Sequence, residues 1–257
     1  LQANFAALGY TINWTQLLDT GGTVFTDTLF QTKYFLSQYE LPEELYDYIE
    51  AVDGYGGDVL HLYGNKFELP FAIGTDVPML QQSEEKFQTQ NNLFAAVTGG
   101  QERLIQDVSQ QVSGSRFDME VGNDKKLFYF YGTNSNSDPV SISVNGSPVL
   151  VPSSSVPMNQ QYPADFGNGF VYLGAFQNEH VSIQFTGGGS SSNIHLGMMD
   201  YNTFVNGIEN VKKQNPQIKS LKQNNSALKL ELDSVTKPYV YLPLSYDEGW
   251  SCKVNGQ

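Results

Sequence analysis

Between about Gln101 and Gly189 the chain breaks into short alternating apolar runs divided by turn residues, and this stretch restricts the possible folds more than any other. Leu127-Phe128-Tyr129-Phe130-Tyr131, Val140-Ser141-Ile142-Ser143-Val144, Gly169-Phe170-Val171-Tyr172-Leu173 and His180-Val181-Ser182-Ile183-Gln184-Phe185 read as four strands, because residues two apart share one face of a sheet. Asn145-Gly146 predicts a type I′ turn leading into Val149-Leu150-Val151. Strands at this spacing argue for a β-sandwich or jelly-roll-like unit. Gly187-Gly188-Gly189-Ser190-Ser191-Ser192 is of low complexity and reads as a flexible loop or linker.

The flanking regions are mixed. Thr32-Lys33-Tyr34-Phe35-Leu36 reads as a short aromatic strand, and Pro42 as the first-turn proline of a short helix with Leu45, Tyr48 and Ile49 on its apolar face. Val59–Tyr63 and Phe67–Ile73 flank Gly64-Asn65-Lys66 like the arms of a hairpin, with Pro70 pushing the second arm to an edge or bulge. A helix follows, capped by Ser83, with Phe87, Asn91, Phe94 and Val97 at helical spacing and Gly99-Gly100 as its stop. Asp200 caps a second, amphipathic helix carrying Phe204, Ile208 and Val211, with Lys212-Lys213 near its end and Pro216 beyond. Leu228-x-Leu230-x-Leu232, Val240-x-Leu242-x-Leu244 and Trp250-x-Cys252-x-Val254 each predict a strand with one core-facing side, and Asp247-Glu248-Gly249 predicts a turn. The expected fold is α+β and β-dominated, with β-sandwich or jelly-roll-like units, a mixed α/β N-terminal part and a few short helices. Its expected division is a mixed subdomain over 1–112 and a sandwich-like subdomain over 113–257 with a helical insertion near 200–214.

The 257 residues suffice for one large or two ordinary domains, and 40% hydrophobic with 13% aromatic content is too apolar for a disordered chain. Fourteen basic residues against 27 acidic ones give a net charge of −13, so no nucleic-acid partner is expected. No run approaches the ~18 apolar residues of a membrane span. Cys252 stands alone and reads as a half-buried strand residue. Little Cys and Lys with much Asn, Gln, Ser and Tyr suits an extracytoplasmic bacterial domain. Ser251–Val254 runs into Asn255-Gly256 as one arm of a hairpin, which predicts a continuation beyond Gln257, such as a membrane anchor.

Catalytic patterns are missing. His61, His180 and His195 stand singly, without the paired spacing of a zinc site. Asn134-Ser135-Asn136-Ser137-Asp138 imitates the start of a calcium loop, but Pro139 occupies the place that needs Gly and no Glu closes it. Ser83-Glu84-Glu85-Lys86 matches S-x-x-K without its companion K-T-G, and a helix cap explains Ser83 more simply. Asp118-Met119-Glu120 fits the D-x-D element that holds metal-bound diphosphates, and fits solvent-facing strand carboxylates better. No catalytic residue, cofactor or metal-ligand set is assigned. Carbohydrate-binding candidates are the aromatics Trp14, Tyr34, Tyr246 and Trp250 with Asp27 and Asp247, and Tyr55 is a further aromatic of this kind; core packing is the competing role for the aromatic residues.

Several strings together resemble one family. Leu242-Pro243-Leu244-Ser245-Tyr246-Asp247-Glu248-Gly249-Trp250, leading into Val254-Asn255-Gly256, resembles the extracellular "L-P-Y-D-x-G-W … V-N-G" motif of the bacterial YfhO membrane proteins. Thr26-Asp27-Thr28-Leu29 with Lys33-Tyr34 is similar to that family's "D-S-L-L-G-V-K-Y", with Phe30-Gln31 replacing Leu-Gly. Tyr63-Gly64-Asn65 before Leu69-Pro70 looks like "Y-E-N-x-x-x-L-P", and Gln90-Asn91-Asn92-Leu93 before Thr98-Gly99 looks like "Q-N-x-L-x-x-x-x-T-G". The resemblance implies a polytopic, GT-C-like glycosyltransferase of Gram-positive bacteria that decorates teichoic acids. Its catalytic carboxylate and lipid-linked donor would belong to the transmembrane portion of the same polypeptide. This chain would be an extracytoplasmic, non-catalytic domain that recognises or positions a glycopolymer or glycolipid acceptor. A structural or protein-partner module is the alternative, and a secreted carbohydrate-active hydrolase the third reading.

Overall fold

A computed structural model describes residues 8, 11–12, 17–18, 22–37, 40–54, 57, 59–78, 83, 85–100, 102–132, 141–149, 169–186, 194–224, 227–244 and 248–253. Its strands are β1 Thr11–Ile12, β2 Leu17–Leu18, β3 Tyr34–Ser37, β4 Tyr46–Asp53, β5 Val59–Asn65, β6 Ile73–Thr75, β7 Ile105–Asp107, β8 Arg116–Val121 and β9 Lys126–Gly132. They continue as β10 Ser141–Val144, β11 Ser147–Val149, β12 Val171–Phe176, β13 Glu179–Thr186, β14 Ile194–Asp200, β15 Ile218–Gln223, β16 Leu228–Leu232 and β17 Tyr239–Tyr241. The helices are α1 Val24–Leu29, α2 Lys86–Thr98 and α3 Tyr201–Gln214. The fold is α+β and β-dominated.

Two four-stranded antiparallel sheets form the sandwich: an outer one ordered β11-β10-β13-β8 and an inner one ordered β12-β9-β14-β7. Phe117, Ile142, Ile183 and Phe185 from the outer sheet meet Phe128, Phe130, Leu173 and Leu196 from the inner sheet in one apolar cluster. The four runs between Leu127 and Phe185 are β9, β10, β12 and β13, as expected. Asn145 (φ 50°) and Gly146 (φ 81°) make the left-handed turn between β10 and β11.

The opposite face of the inner sheet carries a second core. Ile105, Leu127, Tyr129, Tyr131 and Met199 pack there with Phe87, Phe94, Phe204 and Ile208 from α2 and α3. Gly197 of β14 permits this close approach, since a Cβ there would lie 2.5 Å from the Phe87 ring. At Gly207 a Cβ would lie 2.3 Å from the Phe94 ring, so α3 accepts the conformational cost of a mid-helix glycine to seat against α2. The short helix α1 is buried throughout and held by a reciprocal Thr23–Thr26 capping box.

Four local expectations are corrected. Pro42 does not open a helix: its carbonyl accepts from the amides of Leu45 and Tyr46, both at 3.0 Å, in a single turn before β4. Pairing of β4 with β5 overrides the helical spacing of Leu45, Tyr48 and Ile49. Gly64-Asn65-Lys66 is not a hairpin turn either, because Gly64 pairs with Tyr34 and Asn65 with Tyr46 inside a β3-β5-β4 sheet; residues 67–72 form no strand, and β6 pairs instead with β17. Glu85, not Ser83, occupies the N-cap of α2, and the Ser83 hydroxyl accepts from the Glu85 amide at 3.2 Å. At the C-terminal end, Tyr241 packs on the core while Val240 and Leu244 are exposed, and residues 250–253 form no strand, with Cys252 exposed. Alternation orients a strand only where a partner exists to bury its apolar side. Gly187–Ser192, Asn134–Asp138 and Asn255-Gly256 lie outside the described residues.

Asn91 ties α2 to the edge of the inner sheet. Its side chain donates to the Ile105 carbonyl and accepts from the Ile105 amide, both at 2.8 Å, in a buried setting. Replacing Asn91 with Leu strands both backbone groups, with an expected cost of about 2–4 kcal/mol in urea unfolding. An unchanged midpoint would show that the amide pair contributes nothing.

Candidate functional site

Cross-strand register builds a polar cluster on the helix-facing side of the inner sheet. His195 of β14 lies directly opposite Tyr131 of β9, and Asp107 of β7 directly opposite Gly197 of β14. Opposed residues of an antiparallel pair point to one face. The His195 and Tyr131 rings accordingly stack, with centroids 4.3 Å apart and planes 4° from parallel. Phe87 meets Tyr131 edge-on at 5.0 Å and stacks on Phe170 at 5.2 Å, which makes an aromatic floor.

The start of α2 lies against this floor. Tyr131 donates its hydroxyl proton to Glu85 Oε2 at 3.0 Å, and His195 Nδ1 is 3.8 Å from the same oxygen. Lys86 Nζ lies 5.0 Å from the centre of the Tyr131 ring, a cation–π distance. Asp107 Oδ1 accepts from the amide of Ser109 at 2.8 Å and from its hydroxyl, and the same hydroxyl accepts from the Leu196 amide at 2.9 Å. Ligand atoms of Glu85, Asp107 and His195 lie within 4.8 Å of one another; both carboxylates are exposed and the imidazole is half-buried.

Burial sets the protonation states. Desolvation lowers the His195 pKa against the opposing pull of Glu85 and Asp107, which favours the neutral imidazole. Desolvation and Glu85 raise the Tyr131 pKa, which keeps its hydroxyl a donor. The Lys86 ammonium is pushed down from 10.5 to about 8, again by desolvation. The cluster thus offers two exposed carboxylates, a neutral imidazole and a half-buried ammonium of lowered pKa. Its chemical reach covers hydrogen bonding to polyols and ligation of a cation.

The sequence candidates do not converge on this cluster. Asp27 is 6% exposed, and its carboxylate accepts from the Tyr46 hydroxyl at 2.9 Å. Tyr34 is 65% exposed on β3 and Trp250 is 51% exposed near the C-terminal end. Trp14, Tyr55, Tyr246 and Asp247 lie outside the described residues. Asp118 and Glu120 are exposed carboxylates of β8, in contact with His180 of β13 at 3.4 and 2.8 Å. Glu85, Asp107 and His195 come from a helix cap, an edge strand and an inner strand, so no spacing rule unites them; the pairing of β7 with β14 brings Asp107 near His195, and the packing of α2 on Tyr131 brings Glu85.

The architecture is that of a two-sheet sandwich with helices covering one sheet, and among the described residues no helix is long and apolar enough to cross a membrane. The chain belongs to the family of bacterial membrane proteins YfhO, whose profile matches residues 2–257. Comparison with curated proteins and with solved structures gave no match.

Lys86 supplies a test of the site's electrostatics. Unfolding returns its amine from about 8 to near 10.5, so between those values the unfolded chain binds more protons and stability rises with pH. Below about pH 8 the full cost of the buried charge applies. Lys86→Met is expected to be more stable than the parent at pH 7, with the advantage shrinking between pH 8 and 10.5 in paired urea melts. A difference that stays constant over that range would contradict the lowered pKa.

Proposed function

We propose that this chain is an extracytoplasmic domain of a polytopic, glycosyltransferase-like membrane protein, and that it positions a cell-envelope glycopolymer acceptor of the teichoic acid type without transferring sugar itself. The observation that carries this reading is the open Glu85–Lys86–Asp107–His195 cluster on its aromatic floor. Carboxylates and imidazole suit sugar or polyol hydroxyls, and Lys86 suits a phosphate oxygen. With a chain charge of −13, hydroxyl contacts carry more of the binding than phosphate contacts. Family membership supports the membrane context, and the ordered motifs ending at Gly256 support the glycosyltransferase-like assignment.

A second reading, a module that docks a protein partner or the transmembrane portion, is favoured by one face of the β3-β5-β4 sheet. Tyr34 and Leu36 are 65% and 61% exposed there, and Ile49 reaches over Gly64 on the same side. Exposed contiguous apolar surface marks contact sites.

Titration of the chain with glycerol-phosphate and ribitol-phosphate oligomers, followed by NMR, separates the two. The acceptor reading expects shifts at His195 and at the Lys86 amide, weakened at least tenfold in Glu85→Gln. Absence of binding, together with normal glycosylation by a protein lacking this domain, removes it. Under the partner reading, Leu36→Lys lowers glycosylation in cells while glycan titration stays silent.

A further inference from the structure

We infer that Glu85, Asp107 and His195 form an open binding site for a divalent cation of the zinc type. Two carboxylate oxygens and one imidazole nitrogen approach from three separate elements, all within 4.8 Å of one another. Zinc bonds of ~2.0–2.2 Å at tetrahedral angles place ligands about 3.4 Å apart, and the Glu85–His195 pair already stands at 3.8 Å. The remaining contraction falls on Glu85 and Asp107, whose exposed side chains can turn without disturbing the core. Three protein ligands leave the fourth position open to water or to a ligand hydroxyl.

The surroundings orient these groups as metal ligands are oriented. The Tyr131 hydroxyl holds one Glu85 oxygen, the Ser109 amide and hydroxyl hold Asp107 Oδ1, and the Tyr131 ring fixes the plane of His195 by stacking. Hydrogen bonds from outside the ligand set are how proteins aim carboxylates at a metal. With Lys86 protonated, two carboxylates against one ammonium leave the site net negative. The other histidine–carboxylate group, His180 with Asp118 and Glu120, is a poorer host: the Arg116 guanidinium engages Asp118 at 2.7 and 2.9 Å and places a cation where the metal would sit. Imidazole ligation favours zinc over magnesium or calcium.

This inference does not depend on glycan binding, and its test contains no glycan. A tag-free chain is titrated with zinc chloride against a chromogenic chelator, with magnesium and calcium chloride as separate arms. One zinc per chain is expected, at least tenfold tighter than either hard cation. Asp107→Asn and His195→Ala should each weaken it at least tenfold, and His180→Ala should leave it unchanged. Asp107→Asn alters an exposed, isosteric side chain, so its effect is readable even if loss of the His195–Tyr131 stack unsettles the other variant. Zinc affinity equal in parent and Asp107→Asn chains, loss in His180→Ala alone, or no zinc bound at millimolar concentration would overturn the assignment.

Discussion

Strand β9 meets two demands within seven residues. Phe128 and Phe130 fill the space between the sheets, while Leu127, Tyr129 and Tyr131 fill the space beneath the helices. A strand covered on both sides reads as continuous apolar sequence rather than as alternation, and Leu127–Tyr131 does so. The helices, the outer sheet and the polar cluster are placed relative to one another through this strand. Because the layers share it, a shift of β9 by one residue would exchange the aromatic contents of both cores.

The polar cluster inherits its geometry from that arrangement. Tyr131 is a core residue by burial, yet its hydroxyl holds the exposed Glu85 and its ring contacts the half-buried His195 and Lys86. Paired strands supply the floor and a helix start supplies the Glu85 carboxylate. Such a division sets the backbone positions of His195 and Asp107 by strand pairing and that of Glu85 by the packing of α2.

Much of the sandwich was legible because its strands end in turn chemistry: Asn145-Gly146 names a left-handed turn, and Asp200 and Gly99 name helix ends that the structure keeps. Legibility failed where pairing partners, not local preference, decide. Leu45, Tyr48 and Ile49 suit a helix, but β5 offers β4 a hydrogen-bonding edge and recruits them as strand. Trp250 and Cys252 alternate like a strand, yet both are exposed and residues 250–253 form none. The candidate site was illegible for a related reason. His195 looks solitary in sequence, and only sheet order places Asp107 beside it and only the packing of α2 on Tyr131 places Glu85 there.

The Asn91–Ile105 amide pair has a consequence for solubility. β7 borders the inner sheet, and an open border of this kind invites a strand from another molecule to zip onto it. By filling the hydrogen-bonding capacity of Ile105 with a side chain from its own helix, the protein denies that template to its neighbours at the first residue of a three-residue border. Crowded domains held at one surface meet one another constantly, and a sealed border keeps those encounters from becoming permanent.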